Sequence, residues 1–312
     1  MADVVTFGEG LLRLSPPHRQ RLEQARELEL WPAGSELNVA VGLARLGTTS
    51  AWVSRLPDSP LGRLVASRAR AEGVDLAHVE WAEDERLGLF FVEVGSPPRP
   101  TSAHYDRADS AFARLDPGSI DWAEILVGAR AFHVSGITPA LGDACARATA
   151  DALAAARGEG CTTSYDVNLR RRLGSPERAR ELLEQFAPQL DVVLCSAEDA
   201  QALYGRSDGE TLRDALGVEL LILAEFDAGS RVWTAFGASR DSVASPLVEP
   251  VDPIGAGDAF CAGFLHGLLG AGVARGLAVG QALSAHKLSI PGDWALVVPG
   301  ELELPVEARP LR

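Results

Sequence analysis

The sequence predicts an α/β protein: a mostly parallel sheet with helices covering both faces. Short β-rich runs alternate with helical patterns along most of the 312 residues, as in strands joined by crossover helices. The composition, 46% hydrophobic and 23% charged, is that of a globular chain with an ordinary buried core. Only two proline- and arginine-bearing stretches break the alternation, and there is no internal repeat or low-complexity tail. An α/β unit of this length can form one domain, so residues 1–312 are read as a single domain.

The elements follow in order. "DVVTFG" is a strand and "SELNVAVGLARLG" a helix in which Leu37, Val41 and Ala44 share a face, with Gly47 as its stop. "TSAWVSRL" is the next strand, and "PLGRLVASRARAEG" a helix opened by Pro60. The strand-helix pairs "ARAFHVSG" with "DACARATADALAAARGEG", and "CTTSYDVN" with "SPERARELLEQFA", continue the pattern. "DVVLCS" with "EDAQALYG", then "ELLILAEF", extend it, and helices from Gly257 and Val273 close the chain. The interruptions, at about 11–33 and 86–110, read as hairpins. Two such hairpins could pair as a small sheet over the C-terminal strand ends, where α/β ligands bind, or remain surface loops.

Several chemistries are excluded. The formal charge of −14 argues against a nucleic-acid partner, which needs a basic face, though a locally arranged site could still bind an anion. No apolar run reaches the roughly 20 residues of a bilayer span, and "MADVVTFGEG" lacks a signal pattern, so the cytoplasm is expected. Lys287 is the only lysine, and no glycine precedes it as a Walker-type loop demands. Cys145, Cys161, Cys195 and Cys261 form no Cys-x-x-Cys pair and read as small buried hydrophobes. His-Glu-x-x-His and Gly-x-Ser-x-Gly are absent.

The stretch "VDPIGAGDAFCAGF" is the chemical focus. Gly255, Ala256 and Gly257 fall at the start of an apolar helix, where backbone N–H groups lack intrahelical partners and the dipole favours an anion. Asp258 lies in the first turn, placed to take a proton from a hydroxyl attacking a phosphate. Spacing alone equally allows an ordinary glycine turn with Asp258 complementing the dipole.

The longer pattern, Asp-x-x-Gly-Ala-Gly-Asp-Ala-Phe, resembles the C-terminal signature of the PfkB sugar kinases, the ribokinase-like family. "AGSELNVAVGLARLG" resembles their N-terminal signature, and the resemblance covers nearly the whole chain. It implies a three-layer α/β/α sandwich with a small β lid that often dimerises. "FHVSGITPAL", "YDVNLRRRLG" and "KLSIPGDWALV" resemble the 2-keto-3-deoxygluconate kinases in that family.

What the resemblance implies can be set against the residues. Alternation along a strand could bring Asp166, Asn168 and Arg170 out on one side, where a guanidinium suits a carboxylate or phosphate. Tyr105 and Arg107 align with a lid Tyr-x-Arg whose arginine meets the sugar-acid carboxylate; singly, either arginine could be a solvated charge or a surface ion pair. Gly34, Ser35 and Asn38 would meet sugar hydroxyls, Phe90 would replace a lid tyrosine, and Asp293 would bind the far end of the substrate or merely be a turn aspartate. Asn168, Arg170, Ser196, Gly229 and the Gly255–Gly257 backbone would contact ATP, and Asp199 would position Mg²⁺ through water. A monovalent cation is left open. His133 reads as a core histidine.

Two departures stand out. Ser196 and Asp199 replace the family's Asn-x-x-Glu, and Glu225, Phe226 and Asp227 stand where Lys-x-Gly-x-x-Gly is common. The implied function is ATP-dependent phosphorylation of 2-keto-3-deoxy-D-gluconate at its terminal hydroxyl. The alternatives are 2-keto-3-deoxygalactonate, fructose or ribose as acceptor, or a non-catalytic sugar-acid sensor. The implied partners are sugar acid and ATP, with a homo-oligomer formed through the lid.

Overall fold

The computed structural model describes residues 2–246 and 249–303. Its strands are β1 Val4–Phe7, β2 Leu11–Ser15, β3 Glu29–Ala33, β4 Ser50–Pro57, β5 Val79–Ala82, β6 Gly88–Glu93 and β7 Ser102–Asp106. They continue as β8 Ala131–Ser135, β9 Thr162–Asp166, β10 Val192–Ser196, β11 Leu220–Asp227, β12 Ser230–Phe236 and β13 Arg240–Pro246. The helices are α1 Ser35–Arg45, α2 Pro60–Ala71, α3 Trp122–Leu126, α4 Ile137–Ala140 and α5 Asp143–Gly158. After them come α6 Pro176–Phe186, α7 Ala197–Tyr204, α8 Gly209–Leu216, α9 Ala256–Ala271 and α10 Val273–Lys287. None of the described helices is long and apolar enough to cross a membrane.

A nine-stranded sheet runs β13-β12-β11-β10-β9-β8-β1-β4-β5. All its pairs are parallel except β11 with β12 and β12 with β13. Strands β10 and β11 read as nearly continuous apolar runs because helices cover both faces of the sheet. Helices α3 and α5 to α8 bury Trp122, Leu153, Phe186 and Leu203 on one side. Helices α1, α9 and α10 bury Leu43, Phe260, Phe264 and Leu283 on the other. The expected sandwich is therefore present.

Glycines decide how α9 and α10 meet. A β-carbon on Gly263 would stand 2.7 Å from the Val279 carbonyl oxygen, and one on Gly280 2.9 Å from that of Phe260. The two helix backbones touch, which a side chain would forbid. Trp233 of β12 stacks on Phe260, ring centroids 3.5 Å apart. Together these contacts fix the axis of α9.

The interruptions form a second sheet, ordered β3-β2-β6-β7, so the paired-hairpin expectation holds over the surface-loop one. Its strands lie in the two stretches that interrupt the alternation and read as hairpins; β5 and the β12–β13 hairpin were not read from the sequence.

Candidate active site

Four chain segments meet beyond the C-terminal ends of β1, β8 and β9. The first is the turn into α1. Gly34 has φ +139°, and a β-carbon there would stand 2.2 Å from the Glu9 carbonyl oxygen, so only glycine fits. Ser35 and Asn38 follow on the first turn of α1. The second segment is the start of α9, with Gly255 at φ +86° as its N-cap. Any side chain at Gly255 would overlap the Asp293 carbonyl oxygen, 2.0 Å from an ideal β-carbon. At Gly257 the same position faces open space. Among the described residues, the N–H groups of Gly257 and Asp258 have no hydrogen-bond acceptor, as expected for a first helical turn.

Asp258 is 8% exposed and clamped from α1: Ser35 Oγ donates to Oδ1 at 2.7 Å, and Asn38 Nδ2 to Oδ2 at 2.6 Å. Asn168 Nδ2 in turn donates to Ser35 Oγ at 3.1 Å. Burial raises the Asp258 carboxyl above its ordinary value, while the Asn38 and Ser35 hydrogen bonds pull the other way. These four residues, expected from the sequence, form one network.

The third segment follows β9, and it corrects the alternation argument. The strand ends at Asp166, and Asn168 has φ +40°, so a turn rather than a pleat places Asn168 and Arg170. Arg170 is exposed and makes no ion pair among the described residues, yet its charge acts on Asp166, Asp199 and Asp258. Burial, then the charges of Asp258 and Asp199, push Asp166 up to about 8. Ser196 N-caps α7 by accepting from the Asp199 N–H at 3.0 Å. Asp199 Oδ2 accepts from the Leu169 N–H at 3.3 Å, and burial raises this carboxyl too. Two carboxylates short of positive charge fit a cation held at this end, although no described group of three metal ligands exists.

The fourth segment is the lid. Phe90 is buried and stacked on Tyr105, centroids 5.3 Å apart. Arg107 is not a free cation: Glu9 binds its Nε at 2.8 Å and its Nη2 as well, and the Arg107 guanidinium lies 5.8 Å from the Tyr105 ring centre. Glu9 Oε1 is buried without a partner. Asp293 is likewise engaged, its Oδ1 accepting from Arg13 Nη1 at 2.8 Å inside a buried cluster. Gly229 stands apart from the network: with Ala228 it forms the two-residue β11–β12 turn at φ +84°. In that hairpin the Arg231 guanidinium lies over the Phe226 ring at 4.5 Å.

Reading the sequence missed Glu9, Arg13, Glu36 and Asp252. Glu36 is buried at 1% exposure and accepts from Ser135 N–H, Ser135 Oγ and Thr138 Oγ1, tying α1 to the end of β8. The acidic residue inside the "AGSELN" turn was its only signal. His133 is fully buried beside Ser164, and burial lowers it to about 3, a core histidine as expected. The four cysteines are free and buried.

The comparisons with known proteins agree on one class of enzyme, the carbohydrate kinases. The chain belongs to the pfkB family carbohydrate kinases, whose model matches residues 1–294. It is 42% identical over 311 residues to the 2-dehydro-3-deoxygalactonokinase of Haloferax volcanii, covering 97% of this chain and 96% of that one. To the 2-dehydro-3-deoxygluconokinase of Thermoproteus tenax it is 32% identical, covering 97% and 94%. The crystal structure of 2-dehydro-3-deoxygluconokinase from Thermotoga maritima superposes with a TM-score of 0.87 at 32% identity, covering 96% of each chain.

Proposed function

We propose that this kinase transfers the γ-phosphoryl group of ATP to the terminal hydroxyl of a 2-keto-3-deoxy six-carbon sugar acid. One observation carries the reading: a buried carboxylate, Asp258, clamped by two donors at an open helix N-terminus. The acceptor hydroxyl gives its proton to Asp258 and its oxygen attacks the γ-phosphorus; the bond to the β,γ-bridging oxygen breaks and ADP leaves. Burial makes Asp258 a better base, and the hydrogen bonds from Asn38 and Ser35 favour its ionised form against that burial. The backbone of Gly255, Ala256 and Gly257 faces the transferring group, with Gly257 bare so that the phosphoryl oxygens approach closely.

Magnesium fits beside Asp166 and Asp199, where it would offset phosphate charge; Asp199 would act through water. Asn168, Ser196 and Arg170 serve the nucleotide side. Arg170 and Arg107, with Tyr105, hold the acid end. Because Glu9 already neutralises Arg107, the substrate carboxylate meets a pre-oriented ion pair whose arginine need not be reordered. Phe90, Gly34, Ser35 and Asn38 shape the sugar pocket, and Asp293 supports it through Arg13. The outer edge strand β7 is largely exposed and suits a homo-oligomer built through the lid.

The test is ADP release from ATP and Mg²⁺ over 2-keto-3-deoxygluconate, 2-keto-3-deoxygalactonate, gluconate, fructose and ribose. Turnover is expected on the keto-deoxy acids alone. Turnover on a neutral sugar would discard the paired-arginine reading, and silence across the panel would favour a sensor. The gluconate acid is the first reading from the sequence. The 42% identity to a galactonokinase favours the galactonate acid as the second, and one hydroxyl's orientation separates them.

A further inference from the structure

Lysine and arginine together number 29, and the single lysine is completely buried. Lys287 ends α10 with its ammonium between two backbone carbonyls, Asp252 O at 3.2 Å and Ile290 O at 3.0 Å. Those carbonyls belong to the two loops that shape the N-terminus of α9. The loop entering α9 is bound to the loop leaving α10 by Val251 N–H to Leu288 O at 2.8 Å and Gly292 N–H to Asp252 Oδ2 at 3.0 Å. Asp252 Oδ1 accepts from the Ile254 N–H at 3.1 Å, and Gly255 rests directly on the Asp293 carbonyl. From the lid, Arg13 ion-pairs with Asp252 and Asp293 at 2.8 Å each.

The choice of side chain is informative. Burying an ammonium costs several kcal/mol unless its surroundings compensate. Everywhere else this chain uses arginine for positive charge. A guanidinium is a planar fork matched to carboxylates, as Arg13 is here, whereas an ammonium is a compact point charge that can face carbonyls from several directions. The site between Asp252 O and Ile290 O therefore calls for a small, nearly spherical monovalent cation.

We propose that Lys287 supplies that cation internally, as a positioning residue that holds the 252–257 loop against 290–293 and so aligns the α9 N-terminus with Asp258. The cluster then carries two fixed positive groups, Arg13 and Lys287, beside Asp252 and Asp293. A dissolved monovalent ion has no place left to fill. Burial lowers the Lys287 ammonium while the charges of Asp252 and Asp293 oppose that shift, and the ammonium's charge in turn favours the ionised form of Asp258.

The experiment has two arms, both using the full chain and the acceptor found above. Wild-type turnover is measured in potassium, sodium and tetramethylammonium chloride at one ionic strength. The three rates are expected to agree, and a strict potassium requirement overturns the proposal. In the second arm Lys287→Ala should lose kcat by roughly 100-fold while KM for the acid stays within about threefold, as for a group acting on alignment. Ammonium or methylammonium should restore at least about a tenth of the lost rate, and tetramethylammonium, too large for the vacated space, should restore none. A folded Lys287→Ala with wild-type kcat, or one that no small cation rescues, overturns it. If the variant is recovered only partly folded, ammonium should raise its Tm and leave that of the wild type unmoved; the absence of that difference counts against the proposal equally.

Discussion

Burial raises the Asp258 carboxyl, and the hydrogen bonds from Asn38 and Ser35 oppose part of that rise. Asp258→Asn keeps the volume but replaces one of the two accepting oxygens with a donor, and it cannot take a proton. Its kcat should fall by about 10²–10⁴, the usual contribution of a general base, while calorimetric affinity for the sugar acid changes little. Near-normal turnover would remove Asp258 from the role. Asp166 makes a pH prediction. Its carboxyl rises from 3.8 to about 8, so the native state holds a proton that the unfolded chain releases. Stability from this group is full below about pH 4 and is lost as pH rises through 8. Asp166→Asn stays neutral throughout, so in the absence of nucleotide it should melt above the wild type at about pH 9 and level with it at about pH 4. At this scale the residues on helix starts were legible, because caps and glycine turns are local signals. Glu9–Arg107 and Arg13–Asp293 were not: 98 and 280 residues separate the partners, and only the lid's folding brings them together.

The start of α9 shows what one element contributes. Its two glycines do different things, and alanine separates them. Gly255→Ala needs φ +86° and places a methyl 2.0 Å from the Asp293 carbonyl, so it should destabilise by about 2 kcal/mol or more and shift the loop that Asp258 depends on. Gly257→Ala meets no protein atom and replaces a poor helix former, so Tm should hold or rise. Its methyl would nonetheless project where phosphoryl oxygens approach, and kcat should drop. Thermal melts paired with kcat for the two variants check this; equal loss of Tm in both would contradict it. The helical glycines of α9 were legible only as oddities, since their cause is a second backbone that the sequence places about one helix later.

At the scale of the molecule, the net charge of −14 opposes compaction, and a single lysine leaves arginine to make nearly every surface ion pair. Salt should therefore stabilise: screening shortens from about 10 Å at 0.1 M to about 3 Å at 1 M, so Tm should climb over that range. A falling Tm would mean that the ion pairs outweigh the repulsion. The sheet and its helices were readable from alternation and the lid from the two stretches that interrupt it, whereas the acidic surface says nothing of the site it surrounds. The burial of Lys287 has one more consequence. Amine-directed acylating reagents meet only one lysine side chain here, and in the folded protein its Nζ is sealed behind the cradle. Its modification would thus be a clock for opening of the molecule, readable as a mass shift at a single peptide.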